Sequence, residues 1–196
     1  MIRLAILASG SGTNAENMIR YFAGHALISV GLVISNNPDA KVLEKALRHQ
    51  VPTMVLAGKH WREPQEIIQV LQEKHIDYLI LAGFLLKIHP DIIQAWPNKI
   101  LNIHPALLPK YGGKGMYGAH VHNAVLENKE EVSGITIHLV NEQYDEGRIL
   151  FQETCPVLPD DTTESLAKRI HELEYRFYPK VTEQYIFPDP VNTADQ

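Results

Sequence analysis

Residues 7–15 read "LASGSGTNA". An apolar run, Arg3–Ala8, precedes this glycine-rich turn, and Ala15, Met18, Ile19 and Phe22 follow it at helical spacing. Strand, glycine loop and helix open a βαβ unit. A loop of this kind, at the carboxyl end of a first parallel strand, is where such sheets gather ligands. The pattern continues downstream, with strands expected at Ile28–Ser35, Thr53–Leu56, Asp77–Ala82 and Ile100–His104. Helical periodicity falls at about 14–24, 38–49 and 63–75, the last through Ile67, Val70 and Leu71.

Alternation of this kind predicts an α/β fold: a Rossmann-like, mostly parallel twisted sheet flanked by helices. The character changes after Pro105. A Gly/Pro/Lys stretch, "PALLPKYGGKGMYG", leads to a helix expected at Ala119–Asn128. Strands at Ser133–Val140 and Arg148–Pro156 follow, close enough to pair as antiparallel neighbours and to give an antiparallel C-terminal strand. A last helix runs from Thr163 to Tyr185 and starts at "DTTE", where Glu164 follows Asp161 at capping-box spacing. The reading is one domain over 1–187, with a phosphate-binding N-terminal half, a C-terminal half completing the cleft, and a frayed tail over 188–196.

Composition narrows the class. The 196 residues are 45% hydrophobic and 21% charged, an ordinary globular mix. The lone Cys155 forbids an intrachain disulfide and a multi-cysteine metal cluster, which fits a reduced, cytoplasmic setting. The apolar part of "MIRLAILASG" is too short for a signal peptide, and no apolar run reaches membrane-spanning length. A net charge of −5 disfavours nucleic acid, since Lys110 and Lys114 make no basic stripe. Small-molecule substrates are the expected partners, with no nucleic acid and no membrane.

The phosphate comes first. Gly10-x-Gly12-x-x-Ala15 matches the dinucleotide fingerprint, but the second strand ends "ISNN", with no carboxylate before Asp39 to hold a ribose. No Lys-Ser/Thr follows the glycines, so a nucleoside triphosphate fits no better. What remains is a monophosphate cradle made by the backbone N–H groups and hydroxyls of Ser11, Gly12, Thr13 and Asn14. A tight turn that binds nothing is the bland alternative.

The second centre is "KILNIHPALLPKY", residues 99–111. Strand alternation puts Asn102 and His104 on one side and Leu101 and Ile103 on the other. In "SGITIHLVNEQYDEGRIL", residues 133–150, Ile135, Ile137 and Leu139 face a core, and Asp145 is presented by the following turn. A carboxylate there can fix a histidine's tautomer and favour its charged form. A satisfied edge histidine and a turn aspartate are the ordinary readings. In the last helix, Glu174 lies on the inward stripe of Leu166, Ile170, Leu173, Phe177 and Val181, where it needs a donor. His120 and His122 lack further ligands at metal spacing, so no metal is expected. Cys155, Trp61 and Trp96 read as core packing.

"LNIHPALLPKY", "SGITIHLVNEQYDEGRI", "SGSGTN" and "DYLILAGF" together resemble the folate-dependent formyltransferases, from Ile2 to about Tyr185. The resemblance implies the formyltransferase fold and movement of a formyl group from 10-formyltetrahydrofolate to the amine of glycinamide ribonucleotide, a step of purine (IMP) synthesis. It implies Asn102, His104 and Asp145 as the catalytic set, with His104 acting in its protonated form. Ser11, Gly12, Thr13 and Asn14 would hold the ribonucleotide phosphate, with Glu174 and His171 gripping the same substrate. Folate would lie against Leu85, Leu86, Lys87 and Ile88, with Asn102, Arg62, and the turn Asn141, Glu142, Gln143, Tyr144 and Asp145. It also implies a cis Leu108–Pro109 bond and a monomer or homodimer, while the glycines of the 110–122 loop suggest a lid. Members that hydrolyse formyl folate, act on tRNA or formylate sugars are the near alternatives. The first two would add an N-terminal regulatory domain or a C-terminal tRNA-binding domain, and neither extension is expected here. A dinucleotide-dependent oxidoreductase and a non-catalytic phosphometabolite binder stand further off.

Overall fold

The computed structural model describes residues 1–188. Strands β1 (Ile2–Leu7), β2 (Ile28–Ser35), β3 (Thr53–Val55), β4 (Tyr78–Leu81) and β5 (Ile100–His104) alternate with helices α1 (Thr13–Phe22), α2 (Lys41–Arg48), α3 (Gln65–Glu73) and α4 (Pro90–Ala95). Then come α5 (Ala119–Glu127), β6 (Val132–Leu139), β7 (Ile149–Pro156) and α6 (Thr163–Ile186). One seven-stranded sheet has the order β3-β2-β1-β4-β5-β6-β7. The first five strands are parallel, and β6 runs antiparallel to both its neighbours.

Each expected element is present within a few residues of its expected ends. Two details differ. The sequence reading passed over α4, whose six residues are too few to show a period; its marker is Pro90 at the first helical position, with His89 Nδ1 accepting from the Asp91 N–H at 3.2 Å. The cap of α6 is Thr162 rather than Asp161. Thr162 and Ser165 exchange reciprocal hydrogen bonds of 2.9 and 3.3 Å, while Asp161 is taken up by Arg169 at 2.8 Å and by the Ser165 hydroxyl at 2.6 Å. Apart from Pro188, the expected tail lies outside the described residues.

The alternation along each strand sorts its side chains into two cores. Leu4, Ile6, Ile80, Leu101, Ile103, Ile135 and Ile137 meet α1, α2, α5 and α6 on one face, with Cys155 in the same cluster. Ala5, Leu7, Leu32, Leu79, Leu81 and Ile100 meet α3, α4, Trp61 and Trp96 on the other. Both indoles are buried and donate to carbonyls, Trp61 to Leu56 at 2.7 Å and Trp96 to Ile76 at 2.9 Å.

Two contacts hold α6 in place, one to the sheet and one to α1. The buried Tyr178 hydroxyl donates to the carbonyls of Leu81 (2.9 Å) and Leu101 (3.1 Å), at the ends of β4 and in β5. Pro179 has no N–H to offer the carbonyl four residues back. That carbonyl, of Tyr175, accepts instead from Asn17 Nδ2 of α1 at 2.9 Å. The proline thus turns a lost helical bond into a tie between α1 and α6. No helix among the described residues is long and apolar enough to cross a membrane.

Candidate active site

A cleft of about 780 Å3 opens at the carboxyl ends of β1, β4 and β5 and is walled by the loop before α5, by the turn after β6 and by α6. Its size is that of a site for one or two metabolites.

The glycine loop forms one end. Gly12 caps α1 at φ 67°, a conformation that favours glycine, and a β-carbon there would run into Val42 of α2. The loop is tied down as well: Ser9 Oγ donates to Asn36 Oδ1 at 2.6 Å and accepts from the Leu85 N–H at 2.9 Å. Asn36 therefore fixes the loop. Ser11, Gly12, Thr13 and Asn14 all line the cleft at the start of α1, where the helix end is positive.

Beside the loop sits Glu174, 4% exposed. It accepts from Asn14 Nδ2 at 2.8 Å and from His171 Nδ1 at 2.7 Å, which supplies the donors its inward position requires. The carboxylate raises the His171 pKa above the ordinary histidine value, against the opposing effect of burial.

The other end is built by pairing β5 with β6. Asn102 lies opposite His138, and His104 opposite Thr136. Asn102 Nδ2 donates to His138 Nε2 at 3.1 Å, and His138 Nδ1 donates to the Leu139 carbonyl at 2.8 Å. That fixes the His138 tautomer and, through it, the orientation of the Asn102 amide. The second Nδ2 hydrogen remains for a ligand. Thr136 accepts from the Leu108 N–H at 3.0 Å and donates to the Ala106 carbonyl at 2.7 Å, fixing the chain beyond His104; the Leu108–Pro109 bond is cis.

Asp145 closes the group. Its Oδ2 is 3.7 Å from His104 Nδ1, and its Oδ1 is 3.6 Å from His138 Nε2, ion-pair range but too long for hydrogen bonds. The turn that presents it needs Gly147, whose β-carbon would overlap the Leu139 carbonyl. The 111–113 segment grips both partners: His104 Nε2 donates to the Tyr111 carbonyl at 2.7 Å, and the Gly113 N–H donates to Asp145 Oδ2 at 2.9 Å.

Here the structure corrects one expectation. His104 is 3% exposed, and burial lowers its pKa below the ordinary value despite the opposing pull of Asp145 and the Tyr111 carbonyl. The ring is neutral at neutral pH. Since Nε2 carries the hydrogen, Nδ1 is left with its lone pair toward Asp145. Burial works to raise the Asp145 carboxyl, but it is held below its usual value, with the Gly113 N–H donating to its Oδ2. The group is thus an acceptor-rich centre one proton short, built to take a proton rather than to hold one.

Leu85, Leu86, Lys87 and Ile88 line the cleft opposite Asn141, Gln143 and Tyr144, with Lys87 Nζ 5.6 Å from the centre of the Tyr144 ring. Two expected residues are not brought in. Arg62 is exposed on the turn before α3 and is not among the lining residues. Glu142 lines a neighbouring groove with Pro90, Asp91 and Asn98, which Asn141 and Gln143 also border. Two lining residues were missed. His138 was legible, since the strand that sends Ile135, Ile137 and Leu139 to the core sends Thr136 and His138 to the face of Asn102 and His104. His122, 2% exposed, was read only as a metal candidate. Among the described residues no group of three or more His, Cys, Asp or Glu is placed to hold a metal.

Comparison with known proteins places this geometry. The model of the formyl transferase family matches residues 2–182. The chloroplastic phosphoribosylglycinamide formyltransferase of Arabidopsis thaliana is 42% identical over 186 residues, 91% of this chain and 63% of that protein. The Haemophilus influenzae phosphoribosylglycinamide formyltransferase is 37% identical over 92% of this chain and 85% of its own length. The crystal structure of the Bacillus halodurans phosphoribosylglycinamide formyltransferase superposes with a TM-score of 0.87 at 37% identity, covering 95% of this chain and 96% of that one. The chain spans about three fifths of the length of the plant relatives.

The His171–Glu174 pair makes stability depend on pH with a definite sign. Unfolded, His171 titrates near 6.5; folded, it holds its proton to higher pH. The pair's contribution is complete below 6.5 and is lost as pH rises through the folded value. In urea denaturation, the stability gap between wild type and Glu174→Gln should narrow between about pH 6 and about pH 9. A gap that is constant or widens contradicts the pairing.

Proposed function

The chain belongs to the formyl transferase family, and from that premise we propose that it transfers a formyl group from 10-formyltetrahydrofolate to the amine of glycinamide ribonucleotide, giving formylglycinamide ribonucleotide for purine synthesis. One observation supports the reading: the glycine-loop residues Ser11 to Asn14 and the group Asn102, His104 and Asp145 line a single cleft. The remaining wall fits the donor. Leu85 to Ile88 and the 141–145 turn offer an apolar slot with backbone groups along it, beside Asn102.

Ser11 to Asn14 bind the 5-phosphate, and Glu174 with His171 holds the middle of the ribonucleotide. The amine is thereby brought to the formyl carbon bound beside Asn102. An α-amino group titrates near ~8, so a useful fraction is neutral at physiological pH. As the amine nitrogen bonds to the formyl carbon, negative charge gathers on the formyl oxygen. The free Asn102 Nδ2 hydrogen, aimed by His138, donates to that oxygen. His104 Nδ1 takes the proton that the amine loses. The imidazolium is stabilised by Asp145 on one side and by the Tyr111 carbonyl on the other. As the bond from the formyl carbon to the donor nitrogen breaks, His104 returns the proton to that nitrogen, and the centre is restored.

The test follows folate release by absorbance, with and without glycinamide ribonucleotide. Release should require the amine, and Asn102→Ala and His104→Ala should each lower kcat by about 100-fold or more, with smaller changes in KM. Release without the amine would instead identify a hydrolase, and near-normal kcat in either variant would remove that residue from its role. His138→Leu fills the same space but leaves the Asn102 amide unaimed, so kcat should fall by about tenfold with KM little changed. A normal kcat would show that Asn102 is oriented by something else.

A further inference from the structure

The ribonucleotide wall holds polar atoms that the protein itself does not satisfy. Both hydrogen bonds accepted by Glu174 land on Oε2, which leaves Oε1 unengaged among the described residues. Asn14 Oδ1 and His122 Nδ1 are buried with no partner among those residues. Orphaned buried polar atoms are rare, and each costs the protein stability unless something meets it. All three residues line the cleft.

His122 stands on the first turn of α5. It lines the cleft together with Glu174 and His171 of the ribonucleotide wall and His104 of the catalytic centre. Burial keeps it neutral, with one ring nitrogen a donor and the other an acceptor. A hydroxyl satisfies Nδ1 in either tautomer, because it both donates and accepts. A ribonucleotide supplies hydroxyls in the right order. With the phosphate in the glycine loop and the amine at Asn102 and His104, the C1′ end of the sugar points toward the catalytic centre. The hydroxyl next to C1′ is the 2′-hydroxyl.

We infer that His122 is a specificity residue whose Nδ1 hydrogen-bonds the ribose 2′-hydroxyl, so that the cleft selects a ribonucleotide over its 2′-deoxy counterpart. The inference rests on the assignment of the cleft to glycinamide ribonucleotide and adds to it a reader of the sugar. Glu174 Oε1 and Asn14 Oδ1 remain to accept from the ribose on the phosphate side.

The test is binding rather than turnover. Glycinamide ribonucleotide and its 2′-deoxy analogue are titrated by calorimetry into the wild type, His122→Leu and His122→Asn, without folate. The wild type should bind the ribo form about tenfold tighter, the effect of one buried hydrogen bond. His122→Leu should bring the preference to near unity, and His122→Asn, whose amide branches where Nδ1 lies, should keep most of it. Because His122→Leu removes an orphaned atom, its urea midpoint should equal or exceed that of the wild type. Equal affinities in the wild type, or a preference that survives in His122→Leu, would overturn the role of His122 and leave the cleft assignment standing. Failure of both ligands to bind the wild type would overturn the assignment itself and the inference with it.

Discussion

The register of β6 on β5 is the constraint on which the site depends. Because successive side chains in a strand point to opposite faces, a slip of one residue would send Thr136 and His138 into the core and Ile137 to the cleft. In the observed register His138 faces Asn102, Thr136 faces His104, and the turn after β6 returns Asp145 to both histidines. The reversal of direction at β5 matters equally. A parallel sixth strand would need a long crossover, whereas the antiparallel one ends beside the start of β5, and the turn that follows it carries Asp145 back to His104 in the cleft.

Burial decides the chemistry of this centre. An exposed histidine beside an aspartate would be held protonated, and the sequence alone suggested that state for His104. In the fold the ring is nearly sealed from water, and the lost solvation of its charged form outweighs the carboxylate. A neutral imidazole facing an ionised aspartate is poor at holding a proton at rest and well placed to receive one from an attacking amine. Tyr111 and Gly113 sharpen this arrangement, since one carbonyl and one N–H on a short segment fix the His104 tautomer and the Asp145 carboxylate.

Much of this was legible because it rests on local rules. The β1–loop–α1 unit showed as an apolar run, a glycine turn and a 3.6-residue period. Asn102 and His104 emerged from alternation, and Glu174 from its place on an apolar stripe. The same alternation marks His138, but its signal was masked by the core residues on either side of it. Other features lie beyond local pattern. The protonation of His104 depends on burial by distant segments. The cap of α6 passed from Asp161 to Thr162 because Arg169, two turns on, claims the aspartate. The place of Arg62 depends on a turn without periodicity, and Glu142 lies in a loop whose path no spacing rule specifies.

The central claim is that one cleft moves a formyl carbon from a folate nitrogen to an amine. It is tested most directly by following that carbon. With donor labelled by 13C in the formyl group and glycinamide ribonucleotide as acceptor, carbon NMR should show the label leaving the folate and appearing in the formamide of the ribonucleotide, one for one. Label that appears as free formate at a rate indifferent to the amine, or that stays on the folate, would contradict the account.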